Sequence, residues 1–207
     1  MAFGAFIHGY AHMRKVIAVD GTQLSGKYEG VLLFFVAQDT KTYIYLLAFC
    51  VVDKENDTVW GFFFEKLKVF VVNKLELCVI SDRHVSIANC LIRYYPFVHH
   101  GVCMRYLGEN LRTYHHCTNS LYLYYHAAKA YTLKEFNDYF NALKERCPGA
   151  TTCLEHDFGF EKWNWAHFPG NIFNVMTTNI TESLNSMLLD EREYLVASIF
   201  NSIAHQF

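Results

Sequence analysis

Residues 15–20 read KVIAVD, a short apolar run, rich in β-branched residues, that ends in an acid. Gly21 and Thr22 interrupt the run, so the pattern predicts a buried strand with an aspartate at its end. Two further apolar runs follow at residues 30–37 and 43–52, with the polar stretch DTKT between them. Three strands joined by short polar turns predict an antiparallel meander.

Helical and strand patterns alternate after the meander. Residues 57–67 and 85–95 carry apolar side chains at helical spacing, and Asp57 or Thr58 is a candidate cap for the first of these helices. Residues 75–80 predict a fourth strand shortly before Asp82, and residues 97–103 a fifth. A meander followed by helix–strand units predicts an α/β fold, in which helices flank a mixed sheet in the RNase H-like order.

The second half of the chain predicts helices rather than strands. We expect residues 1–104 to form the first part of an RNase H-like core and residues 105–170 an all-helical insertion. Residues 171–207 then supply the C-terminal part of the core, with a last helix that Thr178 or Asn179 caps.

Composition indicates a packed protein without a membrane span. Of 207 residues 52% are hydrophobic, and the longest apolar runs fall short of the roughly 18–20 residues that a span needs. Seven scattered cysteines without a CxxC pair suggest reduced thiols in a cytosolic or nuclear protein. The net charge of −2 gives no bulk attraction to nucleic acid, so DNA binding would need a local basic face.

Three acids stand where the predicted fold would bring them together. Asp20 ends the first strand, Asp82 follows the fourth, and Glu182 lies on the last helix. Such carboxylates are the hard oxygen ligands that Mg²⁺ prefers, and two ions serve phosphodiester cleavage. Taken singly, an aspartate after a strand is more often a turn or cap residue, and Glu182 complements a helix dipole equally well.

The sequence around these acids resembles the Mutator-like (MULE) transposase domain of the plant MuDR type in five ordered blocks. The blocks are RKVIAVDGTQLSGKYEGVLL, YIYLLAFCVVDKEND-VW, ISDRHVSIANCL, YPFVHHGVCMRYLGENLR and HFPGNIFNVMTTNITESLNSMLLDEREYLVASIF. The resemblance implies a DDE-type DNA transposase whose catalytic and metal-binding acids are Asp20, Asp82 and Glu182. It also implies two Mg²⁺ or Mn²⁺ ions, binding to transposon ends and target DNA, a homo-oligomeric transposition complex and a nuclear location.

Several positions depart from the pattern of the family. Its Cys-x-x-His block reads Cys103-Met104-Arg105-Tyr106, so tyrosine replaces the histidine, and Leu46, Ile172 and Leu195 are further departures. The flanking DNA-binding region and zinc knuckle of full-length relatives have no counterpart. These features suggest a truncated transposase copy that drifts without selection for transposition, although all three acids are intact and the sequence does not decide whether it is active. The alternatives are a domesticated nuclear protein that binds DNA and regulates transcription, and a fragment without function.

Other residues carry weaker hypotheses. Arg83 and His84 either contact a phosphate or support the metal site, or they only open the second helix. Cys103, His115, His116 and Cys117 are candidate zinc ligands, but their irregular spacing favours buried thiols and imidazoles on a helix face. Trp163, Trp165 and Phe168 either stack on an unpaired base or pack the insertion against the core.

Overall fold

The computed structural model describes residues 13–25, 29–69, 71, 77–82, 84–169, 198 and 201. Asp20, Asp82 and His84 belong to these residues. Arg83, Glu182 and the predicted last helix lie outside them, as do the departures at Ile172 and Leu195.

Five strands form one mixed sheet. They are β1 (Val16–Gln23), β2 (Val31–Gln38), β3 (Ile44–Val52), β4 (Cys78–Ser81) and β5 (His99–Val102). The strand order across the sheet is β3-β2-β1-β4-β5. The β1–β2 and β2–β3 pairs are antiparallel, and the β1–β4 and β4–β5 pairs are parallel. The predicted mixed sheet with an N-terminal meander is confirmed, and its order is that of the RNase H-like fold.

Helices cover both faces of this sheet. They are α1 (Asp57–Leu67), α2 (Val85–Tyr94), α3 (Met104–Tyr114), α4 (Leu121–Lys129), α5 (Leu133–Arg146) and α6 (Pro148–Thr152), with short 3₁₀ or π-helical turns at Thr118–Ser120, Cys153–Phe158 and Phe160–Lys162. The cap of α1 is Asn56 rather than Asp57 or Thr58, because Asn56 Oδ1 accepts the Val59 N–H at 3.0 Å. The sequence placed this start one or two residues late.

The side chains of β1 alternate between the two faces of the sheet, and they show which helices pack on each face. Successive side chains of a strand point to opposite faces. Ile17 and Val19 belong to the buried cluster that contains α1 and α2, whereas Val16 and Ala18 belong to the cluster that contains α3, α4 and α5. The helices that follow β5 therefore share one hydrophobic core with the sheet. No helix in the described part of the chain is long and apolar enough to cross a membrane.

Candidate active site

The parallel pairing of β1 and β4 brings two acids to the same edge of the sheet. Val19 pairs with Ser81, the last residue of β4. The next residues of the two strands are Asp20 and Asp82, so they stand side by side where β4 ends and β1 continues. The sequence predicted this meeting from two strand ends that an RNase H-like sheet places side by side. The predicted end of the first strand at Asp20 was wrong, because β1 pairs with β2 through Gly21 and Thr22 and ends at Gln23.

Hydrogen bonds fix both carboxylate oxygens of Asp20. The side chain is buried, with only 3% of its surface exposed. The Gly21 N–H donates to Oδ1 at 2.9 Å, and the Tyr106 hydroxyl donates to Oδ2 at 3.2 Å. A carboxylate oxygen has two lone pairs, so each oxygen keeps one for a further partner.

Burial and crowding by other acids disfavour the charged form of Asp20. Desolvation is the largest cause, repulsion from Asp82 is the next, and Glu55 adds a smaller repulsion; together they raise the pKa of Asp20 to about 7. The two hydrogen bonds lower the pKa without cancelling this rise. A divalent cation would supply the positive charge that this pair of carboxylates lacks, so the donor set fits a Mg²⁺ or Mn²⁺ ion.

A short network holds Asp82 at the end of β4. Its Oδ1 accepts the His84 N–H at 2.9 Å. The Ser81 hydroxyl donates to the Asp82 carbonyl oxygen at 2.7 Å and lies 2.9 Å from His100 Nε2. Burial, followed by the charge of Lys162, lowers the pKa of His100 to about 4, so the imidazole is neutral near pH 7. Because the Ser81 proton goes to the Asp82 carbonyl oxygen, the tautomer with its proton on Nε2 would donate to Ser81. His100 thus stabilises the turn that presents Asp82.

Tyr106 occupies the position at which the family pattern has histidine, and it touches the first acid. Burial and the nearby charge of Asp20 raise the pKa of the Tyr106 hydroxyl well above its usual value. The phenol therefore keeps its proton near pH 7 and acts as a donor rather than as a base. The sequence predicted a lost function at this position, whereas the structure places a direct contact to Asp20 there.

Removing that donor is expected to cost stability. Tyr106→Phe leaves a buried carboxylate oxygen without one of its donors, and hydrogen bonds to charged groups contribute about 1.5–3 kcal/mol. We expect the free energy of unfolding at pH 8 to fall by about that amount in urea denaturation. Tyr43→Phe is the matched control, because Tyr43 is exposed. Equal stability of both variants would contradict a bond of this strength.

Glu55 is a third carboxylate at this site that the sequence analysis did not identify. It lies between β3 and α1, and its Oε2 accepts the N–H of the buried Trp60 indole at 3.3 Å. The same oxygen is 3.7 Å from His84 Nε2. Glu55 belongs to no recognised motif. The one sequence signal that could have found it is its place in the quoted block that ends at Trp60.

The zinc hypothesis finds no support in the structure. In residues 13–169, apart from the undescribed positions, no three His, Cys, Asp or Glu side chains form a group that would hold a metal ion. Cys103 instead caps α3, accepting the Tyr106 N–H at 3.3 Å. Burial and a hydrogen bond to Cys147 raise the pKa of Cys117 to about 12, which disfavours the thiolate that binds zinc. Asp20 and Asp82 likewise supply only part of the ligand set that an ion needs.

The aromatic residues of the insertion mainly pack against each other. Trp163 is fully buried, and its ring centroid lies 5.8 Å from Phe136 and 5.9 Å from Phe160. Phe168 is also buried and contacts His99 edge-on at 5.9 Å. Trp165 packs on Tyr131 at 4.8 Å. These contacts explain Trp163 and Phe168 as core residues rather than as platforms for bases.

Comparison with known proteins adds three findings. Residues 16–110 match the family model of the MULE transposase domain, a range that includes Asp20, Glu55, Asp82 and Tyr106. No curated protein matches the chain. A similar solved structure is the cryoEM structure of the simian T-cell lymphotropic virus intasome in complex with PP2A regulatory subunit B56 gamma, with a TM-score of 0.31 and 10% identity. The alignment covers 79% of this chain and 53% of that chain, so this protein spans about half of its length.

Proposed function

We propose that this chain is the catalytic core of a DDE-type DNA transposase, which cleaves DNA at element ends and joins the freed 3′-OH to target DNA. The observation that carries the proposal is the parallel pairing of β1 with β4 up to Val19 and Ser81, after which Asp20 and Asp82 are the next residues of the two segments. Both acids lie in the range that matches the MULE transposase domain. A buried Asp20 beside a half-buried Asp82 in an RNase H-like sheet suits phosphodiester chemistry, and the burial of Asp20 next to a second acid is costly to keep for structure alone.

Each residue of the site would have its own role in this reaction. Asp20 and Asp82 would hold the divalent ions, and Glu182, in the helix that the sequence predicts, would complete the ligand set. Two Mg²⁺ or Mn²⁺ ions, when bound, lower the pKa of the attacking water and stabilise the leaving oxygen. Tyr106 and Gly21 orient the carboxylate of Asp20, while His84, Ser81 and His100 orient Asp82.

The setting of this activity is part of the same proposal. The substrates are transposon ends and target DNA, the location is the nucleus, and the active form is a homo-oligomeric complex on DNA. We assign the chain to the plant MuDR-type branch on its sequence blocks. We also propose the division into residues 1–104, 105–170 and 171–207, with Arg83 contacting DNA or supporting the ions.

A plasmid-nicking assay tests the proposal. The purified chain is incubated with supercoiled plasmid and Mn²⁺ or Mg²⁺, and conversion to the relaxed form is measured. We expect Asp20→Ala, Asp82→Asn and Glu182→Gln each to reduce nicking to the level of buffer, because each removes a ligand of the ions. Asp138→Asn changes an exposed acid on α5 and should nick like the unaltered chain.

Two results would refute the proposal. Equal nicking by the Asp20 variant and the unaltered chain would show that the acids are not catalytic. Binding to DNA without any metal-dependent nicking would instead favour the alternative, a domesticated nuclear protein that binds DNA and regulates transcription.

A further inference from the structure

We propose that Glu55 is a positioning residue of the ion site, which holds the water ligands of the ion bound by Asp20 and Asp82. This inference rests on the proposed function, because it extends the ligand environment of the same site. It concerns a residue from the loop before α1, outside the three acids on which the proposed chemistry depends.

The first observation is that Glu55 lies against the backbone next to Asp20. A Cβ atom added to Gly21 would come within 2.5 Å of Glu55 Oε1 and 3.0 Å of its Cδ. The first distance is shorter than real Cβ contacts, so a side chain at residue 21 would displace the end of the Glu55 side chain from its present position. Glycine in the sequence VDGT therefore has a steric role at the site itself.

The second observation is that Glu55 also reaches the segment that carries Asp82. His84 Nε2 lies 3.7 Å from Glu55 Oε2, and the His84 N–H is the donor to Asp82 Oδ1. Glu55 thus lies between the two segments that bear the acids. Its repulsion of Asp20 is consistent with this position.

The third observation is that the carboxylate of Glu55 is held in place rather than free. The Trp60 indole donates to it, and Trp60 is completely buried under the sheet. Only 19% of the Glu55 side chain is exposed. In the described part of the chain this anchored acid forms no ion pair with a lysine or arginine, so its carboxylate is available to the water ligands of a cation.

Strand alternation explains how Glu55 complements the residues already assigned. Asp20 shares the face of Ala18, on which α3 brings Tyr106, whereas Gly21 shares the face of Val19, on which α1 packs. Tyr106 therefore closes the site from one face, and Glu55 closes it from the other. Because no three of the described acids group tightly enough to ligate one ion directly, Glu55 would act through water. Mg²⁺ retains several water ligands in proteins, so such a role is available.

Titration of Mn²⁺ tests the inference without relying on activity. Free Mn²⁺ is measured by electron paramagnetic resonance as the ion is added to the purified chain. We expect Glu55→Gln to raise the Kd for Mn²⁺ by about 10- to 100-fold, the usual effect of losing an outer partner of a metal site. The amide oxygen of glutamine still accepts from Trp60, so the fold is kept. Glu65→Gln, at an exposed position of α1, is the matched control and should leave the Kd unchanged.

Asp20→Asn separates failure of this inference from failure of the proposed function. If Asp20→Asn abolishes binding while Glu55→Gln binds like the control, the ion site stands and the role of Glu55 is refuted. If the unaltered chain binds no Mn²⁺, or Asp20→Asn binds it normally, the proposed function fails and this inference fails with it.

A double-mutant cycle supplies a second, independent readout. Gly21→Ala should displace the Glu55 carboxylate and weaken Mn²⁺ binding. In the Glu55→Gln background the same substitution should have little further effect, because the displaced charge is already absent. Fully additive effects of the two substitutions would overturn the assignment of Glu55.

Discussion

Replacing Asp20 by asparagine is expected to stabilise the metal-free chain at pH 8 while abolishing its activity. Burial and the neighbouring Asp82 raise the pKa of Asp20 from 3.8 to about 7 in the folded chain. Above that pH the folded chain carries a buried Asp20 carboxylate that the charge of Asp82 repels. The asparagine variant has no charge at this position. We expect the advantage of the variant in unfolding free energy to grow by about 4 kcal/mol between pH 4 and pH 8.

The direction follows from the proton balance. Below pH 3.8 Asp20 is protonated in both states and costs nothing. Between pH 3.8 and about 7 the unfolded chain has released the proton and the folded chain keeps it, so stability falls as pH rises. Above about pH 7 both states are ionised and the loss is complete.

Urea denaturation of both proteins from pH 4 to pH 8 measures this difference, and titrating groups that do not interact with Asp20 cancel in the comparison. Asp138→Asn, at an exposed position, should show no such pH dependence. Addition of Mn²⁺ at pH 8 should stabilise the unaltered chain and leave Asp20→Asn unchanged, because only the former binds the ion. A stability difference that does not vary with pH would show that Asp20 is not strained by its neighbours.

Trp163→Ala should cause the largest loss of stability in the insertion. The Trp163 ring is fully buried among aromatic residues, and its indole N–H donates to the Leu154 carbonyl oxygen at 3.2 Å. Removing it leaves a large cavity and an unpaired acceptor, so we expect a loss of about 3–5 kcal/mol in unfolding free energy. Because this ring belongs to the same buried cluster as Ala18 and Phe34 of the sheet, the whole chain should unfold more readily.

Circular dichroism during urea denaturation measures that loss. Phe62→Ala, which truncates an exposed ring on α1, should change stability by no more than about 0.5 kcal/mol. A single transition at lower urea is the expected result for Trp163→Ala. Two separate transitions would show that the helices after β5 fold independently of the sheet.

The two aspartates were predictable because strand patterns are local. β-Branched runs ending at an acid mark both β1 and β4, and parallel pairing of two such runs places the acids together. The exact register was not predictable, nor was the length of β4, which starts at Cys78 rather than near residue 75. Strand ends depend on neighbouring strands, which sequence patterns do not contain.

Tyr106 and Glu55 needed the structure for a different reason. Tyr106 reaches Asp20 only because α3 packs across the face of Ala18, and Glu55 lies against Gly21 because residue 21 has no side chain. Both contacts join residues that are far apart in the chain. Neither a tyrosine nor a glutamate indicates such a role by its residue type alone. Comparison with the family pattern marked Tyr106 as a departure without indicating what the tyrosine does.

The sheet order has a consequence for how the protein emerges from the ribosome. β1, β2 and β3 are consecutive and can pair as soon as they are synthesised, whereas the other neighbour of β1 starts only at Cys78. Until then β1 is an edge strand with unpaired backbone groups, a surface prone to pairing with other chains. Asp20 is therefore on an open edge in the nascent protein, and the segments that enclose it are translated later. Because translation proceeds from the N-terminus, the site can form only after β4 and β5 have been made. Pairing with β4 then removes the open edge of β1 and so protects the growing chain from pairing with other chains.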